Sequence, residues 1–319
     1  MLVTEKRGEL LLLTTEGKAT GISGVPEVAY GGQGGLGDVA LHPDFEANSL
    51  VYLSYAEAGS AGYGAVVARA ALQLHDSGGT LGGLEVIWRQ EPKVSGRGHY
   101  GHRIVFGPAG FLWISSGDRQ KFSPAQDMQG NLGKILRLED DGRVPEDNPF
   151  AGEGGVSGQI WSLGHRNPLG MAFDPEGRLW VTEMGPSGGD ELNLITRGAN
   201  YGYPIVSEGN HYGGREIPDH STRPEFQAPA LAWTPVISPG NLIFYAGDMF
   251  PQWRGMALIA GLSAKAVVRV AVDGERAVEA GRLPMGSRIR DVAQGPNGAL
   301  WLLEDGAKGS QGRLLRLTP

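Results

Sequence analysis

Apolar positions along the chain fall into short alternating runs separated by Gly, Pro, Asn and Asp, and a helical period is nearly absent. That pattern predicts many short β-strands joined by turns. Three stretches repeat one scheme: FGPAGFLWISSGD from Phe106, FDPEGRLWVTEMG from Phe173 and QGPNGALWLLEDG from Gln294. In each, x-Pro-x-Gly sits between two strand-like runs. The Pro sets φ for a tight turn and the Gly supplies a positive φ, so each stretch reads as a hairpin. Looser copies begin at Ala40, with a strand at Leu50–Tyr55, and at Phe244. The first two close copies lie 67 positions apart and the third 121 beyond, leaving room for the Phe244 copy between them. A repeat of roughly 50–70 residues with four strands has the size of a propeller blade. Five copies plus the N-terminal strands predict an all-β, six-bladed β-propeller forming a single domain over residues 1–319. Gln126–Leu138 reads as a short helical or irregular turn.

The opening MLVTEKRGELLLLT reads as a strand, a turn at Gly8 and a second strand. A full blade would have further strands before it. The expectation is that upstream residues, with room for an export signal, precede Met1.

Composition narrows the function. With 319 residues, 40% of them hydrophobic, the chain can bury a large core. Its 52 Gly and 20 Pro are spread between apolar runs, as many short turns require. A net charge of −7 without a basic stretch argues against nucleic acid as a partner. The absence of cysteine excludes disulfides, thiolate catalysis and zinc–cysteine sites. No apolar run is long enough to span a membrane.

In a propeller, ligands gather at the loops around the central channel. The long motif-dense loops here are Ser95–Arg103, Asp118–Asn131, Gly164–Pro168, Met184–Glu191 and Gly198–Gly214. GGQGGLG formally contains the dinucleotide spacing Gly32-x-Gly34-x-x-Gly37, but DVALHPDF follows where that fingerprint needs a helix. Its glycines read instead as allowing close backbone approach, with Gln33 the side chain able to bond a ligand. GRGHYGHR offers His99 and His102, either solvated or with one neutral imidazole acting as a general base, which Asp118 of SSGDR could orient. Arg166 and Asn167, in GHRNPLG, suit the oxygens of a planar acidic ligand, or form an Asn-stabilised turn. Gly185-Pro186, Asp190 and Glu191, followed by Tyr201, gather oxygens suited to a hard cation, or tie a loop to itself. Arg288 and Arg290, two apart on a strand, face one side and need an anion between them, unless they are simply solvated. Trp233 is either core or a stacking face.

In this order the motifs resemble the soluble aldose sugar dehydrogenases that use pyrroloquinoline quinone (PQQ), the glucose/sorbosone dehydrogenase family. The resemblance rests on GQGGLGDVALHPDF, GHYGHRIVFGP, LGKILRL…DGRVPEDNPF, IWSLGHRNPLGMAFDPEGRLW, EMGPSGGDELNLITRGANYGYP, FPQWRGMALIAGL and RIRDV, spanning Gly32 to Val292. It implies a six-bladed propeller that oxidises the anomeric carbon of aldoses to lactones, with PQQ and calcium as cofactors. Carried over by position, His99 matches the general base, Asp118 its supporting acid and Gln33 a substrate contact. Arg166, Asn167, Tyr212, Arg288 and Arg290 match cofactor-binding residues. Gly185 and Pro186 match carbonyls holding the cofactor-bridging calcium, and Glu191 and Tyr201 ligands of a further calcium. Ser263 aligns with a lysine of the family, and Lys265, on the same face of a regular strand, is its expected substitute. The family implies an aldose substrate, a separate electron acceptor, no membrane span, a monomer or homodimer, and a periplasmic or secreted location. The alternatives are a calcium-dependent sugar lactonase, holding its metal with side-chain carboxylates and Asn, and a propeller without catalytic activity that binds partners.

Overall fold

A computed structural model describes residues 1–306 and 312–319. The chain divides into two compact units, Met1–Asn167 and Pro168–Pro319.

The first unit holds β1 (Leu2–Glu5), β2 (Glu9–Leu13), β3 (Ala19–Ser23), β4 (Leu36–Leu41), β5 (Leu50–Gly59), β6 (Gly62–His75) and β7 (Gly78–Arg89) in one sheet. Its strand order is β1-β2-β3-β7-β6-β5-β4, and β3 and β7 join through a short parallel contact at Ile22↔Gly79 and Ser23↔Thr80. A second sheet is an antiparallel meander of β8 (Gly101–Phe106), β9 (Leu112–Ser116), β10 (Lys134–Leu138) and β11 (Ile160–Leu163). The second unit holds two four-stranded meanders and one three-stranded meander. They comprise β12 (Pro168–Phe173), β13 (Leu179–Glu183), β14 (Asp190–Leu194) and β15 (Leu231–Trp233); then β16 (Pro239–Phe244), β17 (Ala257–Gly261), β18 (Ala266–Asp273) and β19 (Arg276–Pro284); then β20 (Ile289–Gln294), β21 (Leu300–Glu304) and β22 (Leu314–Leu317).

All five sequence repeats are hairpins. The three close copies turn in the same way. The amides of Gly107, Asp174 and Gly295 donate to the carbonyls of Phe111, Arg178 and Ala299 at 2.9, 3.0 and 2.8 Å. Within each turn Gly110, Gly177 or Gly298 takes a φ near +80°, which only glycine adopts without strain. The looser copies spend their extra residues on single helical turns, Phe45–Asn48 and Pro251–Trp253. The strand after Gly32-x-Gly34-x-x-Gly37 is β4, beginning at Leu36, so a dinucleotide fold is excluded.

Gln126–Leu138 departs from expectation. Only Ser123–Gln126 is helical, and Lys134–Leu138 is the buried strand β10, paired with both β9 and β11. Gly101–Arg103, Pro168 and Asp190–Glu191, read as loop, already belong to strands.

Each hairpin's first strand carries a register shift near its start. It falls between Leu36 and Val39, Gly101 and Ile104, Pro168 and Gly170, Pro239 and Leu242, and Ile289 and Asp291. Such bulges bend a strand and re-aim its side chains. Core residues pack on both faces of the strands. In the first unit they include Tyr52, Trp88, Ile104, Leu136 and Ile160. In the second they include Trp180, Leu192, Leu242, Ile259 and Val268. Full burial of each aliphatic side chain contributes about 1.5–3 kcal/mol. Trp233 belongs to this core; its indole N–H donates to Glu279 Oε2 at 2.8 Å. Among the described residues no helix is long and apolar enough to cross a membrane.

Candidate active site

In the first unit, two loops meet where β8 and β9 pair at Gly101↔Ser116. One carries His99, the other Asp118. Gly117 makes this crossing possible, because a Cβ there would collide with the His99 carbonyl oxygen. His99 Nδ1 lies 2.7 Å from Asp118 Oδ1, and both side chains are buried. Asp118 Oδ1 also accepts the Gln120 amide at 3.0 Å, and Oδ2 the Phe122 amide at 3.2 Å. Since this carboxylate accepts throughout, Nδ1 of His99 carries the hydrogen it shares, and Nε2 keeps a lone pair. Burial lowers the His99 pKa from its ordinary value, and the cations of Arg166 and Arg119 act the same way, against the pull of Asp118. A neutral imidazole whose Nε2 keeps its lone pair can accept a proton.

Neither His99 nor His102, the second residue of β8, is solvated. The His102 ring nitrogens are both buried without a partner among the described residues, and the ring stacks on Tyr100 with centroids 5.1 Å apart. Burial, with Arg119 and Arg103 nearby, takes the His102 pKa down to about 3.

Gln33 is exposed on the glycine loop, and its Oε1 accepts the His99 amide at 2.7 Å. The loop approaches as closely as its glycines suggested. Gly32 has φ +56°, and a Cβ on it would crowd the Arg97 backbone and side chain. Arg166 and Asn167 follow β11, and both are buried. The Arg166 carbonyl accepts the Asp118 amide at 2.8 Å, so this loop is tied directly to the His–Asp pair. Asn167 Oδ1 is buried without a partner among the described residues. An orphaned polar atom of this kind is rare in proteins and fits a site built to receive a polar ligand.

Lys134 was missed by sequence reading. It is wholly buried, and its Nζ donates to the carbonyls of Pro124 (2.8 Å), Ala125 (3.0 Å) and Leu132 (2.8 Å). Burial lowers its pKa to about 7. Ala125 O also accepts the Gly164 amide at 3.0 Å, so the ammonium underpins the Gly164–Asn167 loop. The one available signal was a lysine set inside an apolar strand, KILRL.

In the second unit, Gly185 and Pro186 lie in the turn between β13 and β14. The Gly185 amide donates to Asp190 Oδ1 at 2.9 Å, and Asp190 Oδ2 accepts Ser238 N at 2.6 Å. Asp190 thus braces the turn. The Gly185 and Pro186 carbonyl oxygens accept no hydrogen bond from any described residue. Glu191 is near Glu183 and Glu208, and its pKa is pushed up to about 8, first by burial and then by Glu183. Asn193 Nδ2 reaches Glu191 Oε2 at 3.2 Å and Glu183 Oε1 at 3.3 Å. The Tyr201 hydroxyl donates to Leu194 O, and its backbone carbonyl accepts His220 Nε2 at 3.0 Å. Tyr212 is 78% exposed.

Arg288 Nε and Arg290 Nη2 converge on Asp305 Oδ2 at 3.0 and 3.1 Å. The anion that two neighbouring guanidinium groups demanded is therefore a residue of the chain itself. Regular strand alternation is not what aligns them. Arg288 precedes β20 and Arg290 sits in its bulge. The expectation for Lys265 also fails. Residues 262–265 form the turn between β17 and β18, and Lys265 has φ +49°, so it shares no regular strand face with Ser263. Ser263 Oγ donates to Val236 O at 3.0 Å.

These features describe an all-β scaffold carrying a buried His–Asp pair. The sequence pattern of the family described as glucose/sorbosone dehydrogenase matches residues 1–316. The chain belongs to that family. It is 39% identical to the aldose sugar dehydrogenase YliI of Escherichia coli, over 100% of this chain and 86% of that protein. It is 33% identical to quinoprotein glucose dehydrogenase B of Acinetobacter calcoaceticus over 65% of this chain and 48% of that one. Among solved structures, the apo-form of the soluble E. coli aldose sugar dehydrogenase superposes with a TM-score of 0.92 at 39% identity, covering 100% of this chain and 92% of that one. The PQQ-bound aldose sugar dehydrogenase of Streptomyces coelicolor gives 0.81 at 30% identity, covering 99% and 90%.

Proposed function

We propose that this protein is a PQQ-dependent aldose dehydrogenase that oxidises the anomeric carbon of a sugar to the lactone, with His99 as general base. The observation carrying this reading is the buried His99–Asp118 pair, tied through the Asp118 amide to the Arg166 carbonyl of the loop that carries the orphaned Asn167 oxygen. His99 Nε2 takes the proton of the anomeric hydroxyl while the C1 hydrogen departs with its electron pair. Asp118 holds the ring orientation and stabilises the imidazolium that forms. Gln33 fixes the His99 backbone through Oε1, and its amide N–H donates to the sugar.

The residues present fit the quinone. When bound, it supplies the two-electron sink for the departing hydride. Arg166 and the Asn167 amide suit its oxygens. Arg288 and Arg290, which meet at Asp305, would hold its carboxylates, and Tyr212 would contact it. Ser263 would present a hydroxyl to the cofactor where the family has a lysine. Gly185 and Pro186 offer uncommitted carbonyls that would hold calcium, a hard cation with oxygen ligands, and Glu191 and Tyr201 would be ligands of a second calcium.

The five hairpins and the N-terminal strands support a six-bladed propeller over residues 1–319. The substrate is an aldose, the final electron acceptor a separate molecule, and the location periplasmic or secreted. The test is reconstitution. Apo-protein given PQQ and calcium, then glucose and a dye acceptor, reduces the dye. Failure to take up PQQ at saturating calcium overturns the reading.

A further inference from the structure

The described residues include eight non-glycine positions with positive φ, and five lie in or beside two loops: His99 in one with His102 just beyond it in β8, and Arg119, Gln120 and Phe122 in the other. Left-handed backbone is strained for such residues, and it persists only where its surroundings hold it. What holds these loops is Arg119. Its side chain is 1% exposed, and no carboxylate is among its hydrogen-bond partners. Nε donates to Gly98 O at 2.8 Å, Nη2 to Gly96 O at 2.7 Å and Nη1 to Tyr63 O at 2.5 Å. A longer contact runs from Nη1 to Gln90 Oε1 at 3.4 Å. The guanidinium carbon stands 3.7 Å from the Tyr100 ring centroid, and the Arg119 amide donates to His99 O at 3.1 Å.

A buried guanidinium is costly unless its donors are all used. Here the planar fork spans carbonyls on both sides of Arg97, with the general base next along the chain. A lysine, as a point donor, could not reach the same set. We propose that Arg119 is the positioning residue for His99, a buried cationic clasp that fixes the Gly96–Tyr100 loop and sets the imidazole against Asp118. This rests on the reading of His99 as the base.

The clasp also carries charge. The groups acting on the His99 ring are Asp118, Arg166 and Arg119 itself, with neutral Gln33 on the backbone amide. Arg119 therefore helps to keep the imidazole unprotonated, the form in which it is a base. Removing that cation raises the His99 pKa.

The test uses the full-length protein with Arg119→Met and Arg119→Lys. The His99 imidazole titration is followed by NMR in apo-protein. PQQ uptake and the pH profile of single-turnover sugar oxidation are followed in protein loaded with PQQ and calcium. Arg119→Met is expected to move the His99 titration and the acid limb of the rate profile to higher pH. Arg119→Lys keeps the charge and loses the fork. Its titration stays near wild type, KM changes little, and the rate falls about tenfold or more, as misplacement of a catalytic group by about 1 Å does. Unchanged titration in Arg119→Met overturns the electrostatic role, and a wild-type rate in Arg119→Lys overturns the clasp. Should Arg119→Met not fold, Arg119→Gln gives the titration arm. If wild-type protein takes up no PQQ, the enzyme reading falls, while the NMR titration still decides whether Arg119 acts on His99.

Discussion

The His99 amide donates to Gln33 Oε1 while its ring donates to Asp118 Oδ1, both at 2.7 Å, so one residue pins the His99 backbone and another its imidazole. Removing either partner therefore has a distinct consequence. Asp118→Asn preserves the size of the side chain but not the charge that stabilises an imidazolium. It is expected to slow sugar oxidation by about 10²–10⁴-fold with PQQ uptake retained. Gln33→Ala frees the backbone instead and is expected to raise KM together with a smaller loss of rate. Single-turnover kinetics after cofactor loading separate the two. Equal losses in both variants would contradict the assignment.

Arg288 and Arg290 share the Asp305 carboxylate. If a polycarboxylate binds there, Asp305 competes with it for the two guanidinium groups. Asp305→Asn is then expected to tighten PQQ binding several-fold, at a cost in apo-protein stability of about 1 kcal/mol or less, since both arginines are partly exposed. Arg290→Ala is expected to weaken binding and flatten its salt dependence. Equilibrium titration at two ionic strengths measures both. Indifference of PQQ affinity to all three residues would remove them from the cofactor site.

Asn167 sets a sharper test, because its orphaned oxygen is a cost to the apo-protein. Replacing an unsatisfied buried polar group by an apolar one of similar shape is close to neutral or stabilising. Asn167→Leu is expected to leave the urea midpoint unchanged or raised while lowering PQQ affinity by about tenfold. A strongly destabilised variant with normal affinity would make Asn167 a structural residue.

Much of this was legible in the chain itself. The Pro-x-Gly hairpins were, because a positive-φ glycine four or five residues after an alternating run has one economical explanation. The His–Asp pairing and the Arg288/Arg290 requirement for an anion were legible as chemistry. The strand at Lys134–Leu138 was not. A lysine in an apolar run looks like a solvated turn until three carbonyls are seen around it. Arg119 stayed invisible because its partners are backbone oxygens, which no side-chain motif announces. The bulges in the five leading strands were equally hidden, and they undid the even-spacing argument for Arg288 and Arg290. The Lys265 expectation failed for a related reason, since a hairpin turn with left-handed backbone does not follow the two-residue period of a strand.

His102 makes the last prediction, on stability. In the folded protein its pKa is about 3, against an ordinary value near 6.5. Between those values the unfolded chain binds a proton that the folded one refuses, so stability falls as pH drops. The slope is about 1.4 kcal/mol per pH unit for one proton, and it begins near pH 6.5. His99, also lowered, adds in the same direction. His102→Asn removes the titration and keeps a residue type that tolerates φ +77°. Urea unfolding from pH 7 to pH 4 is expected to show a shallower loss of stability in this variant than in wild type. Parallel curves would mean that water or another proton-accepting group reaches the His102 ring in the folded state.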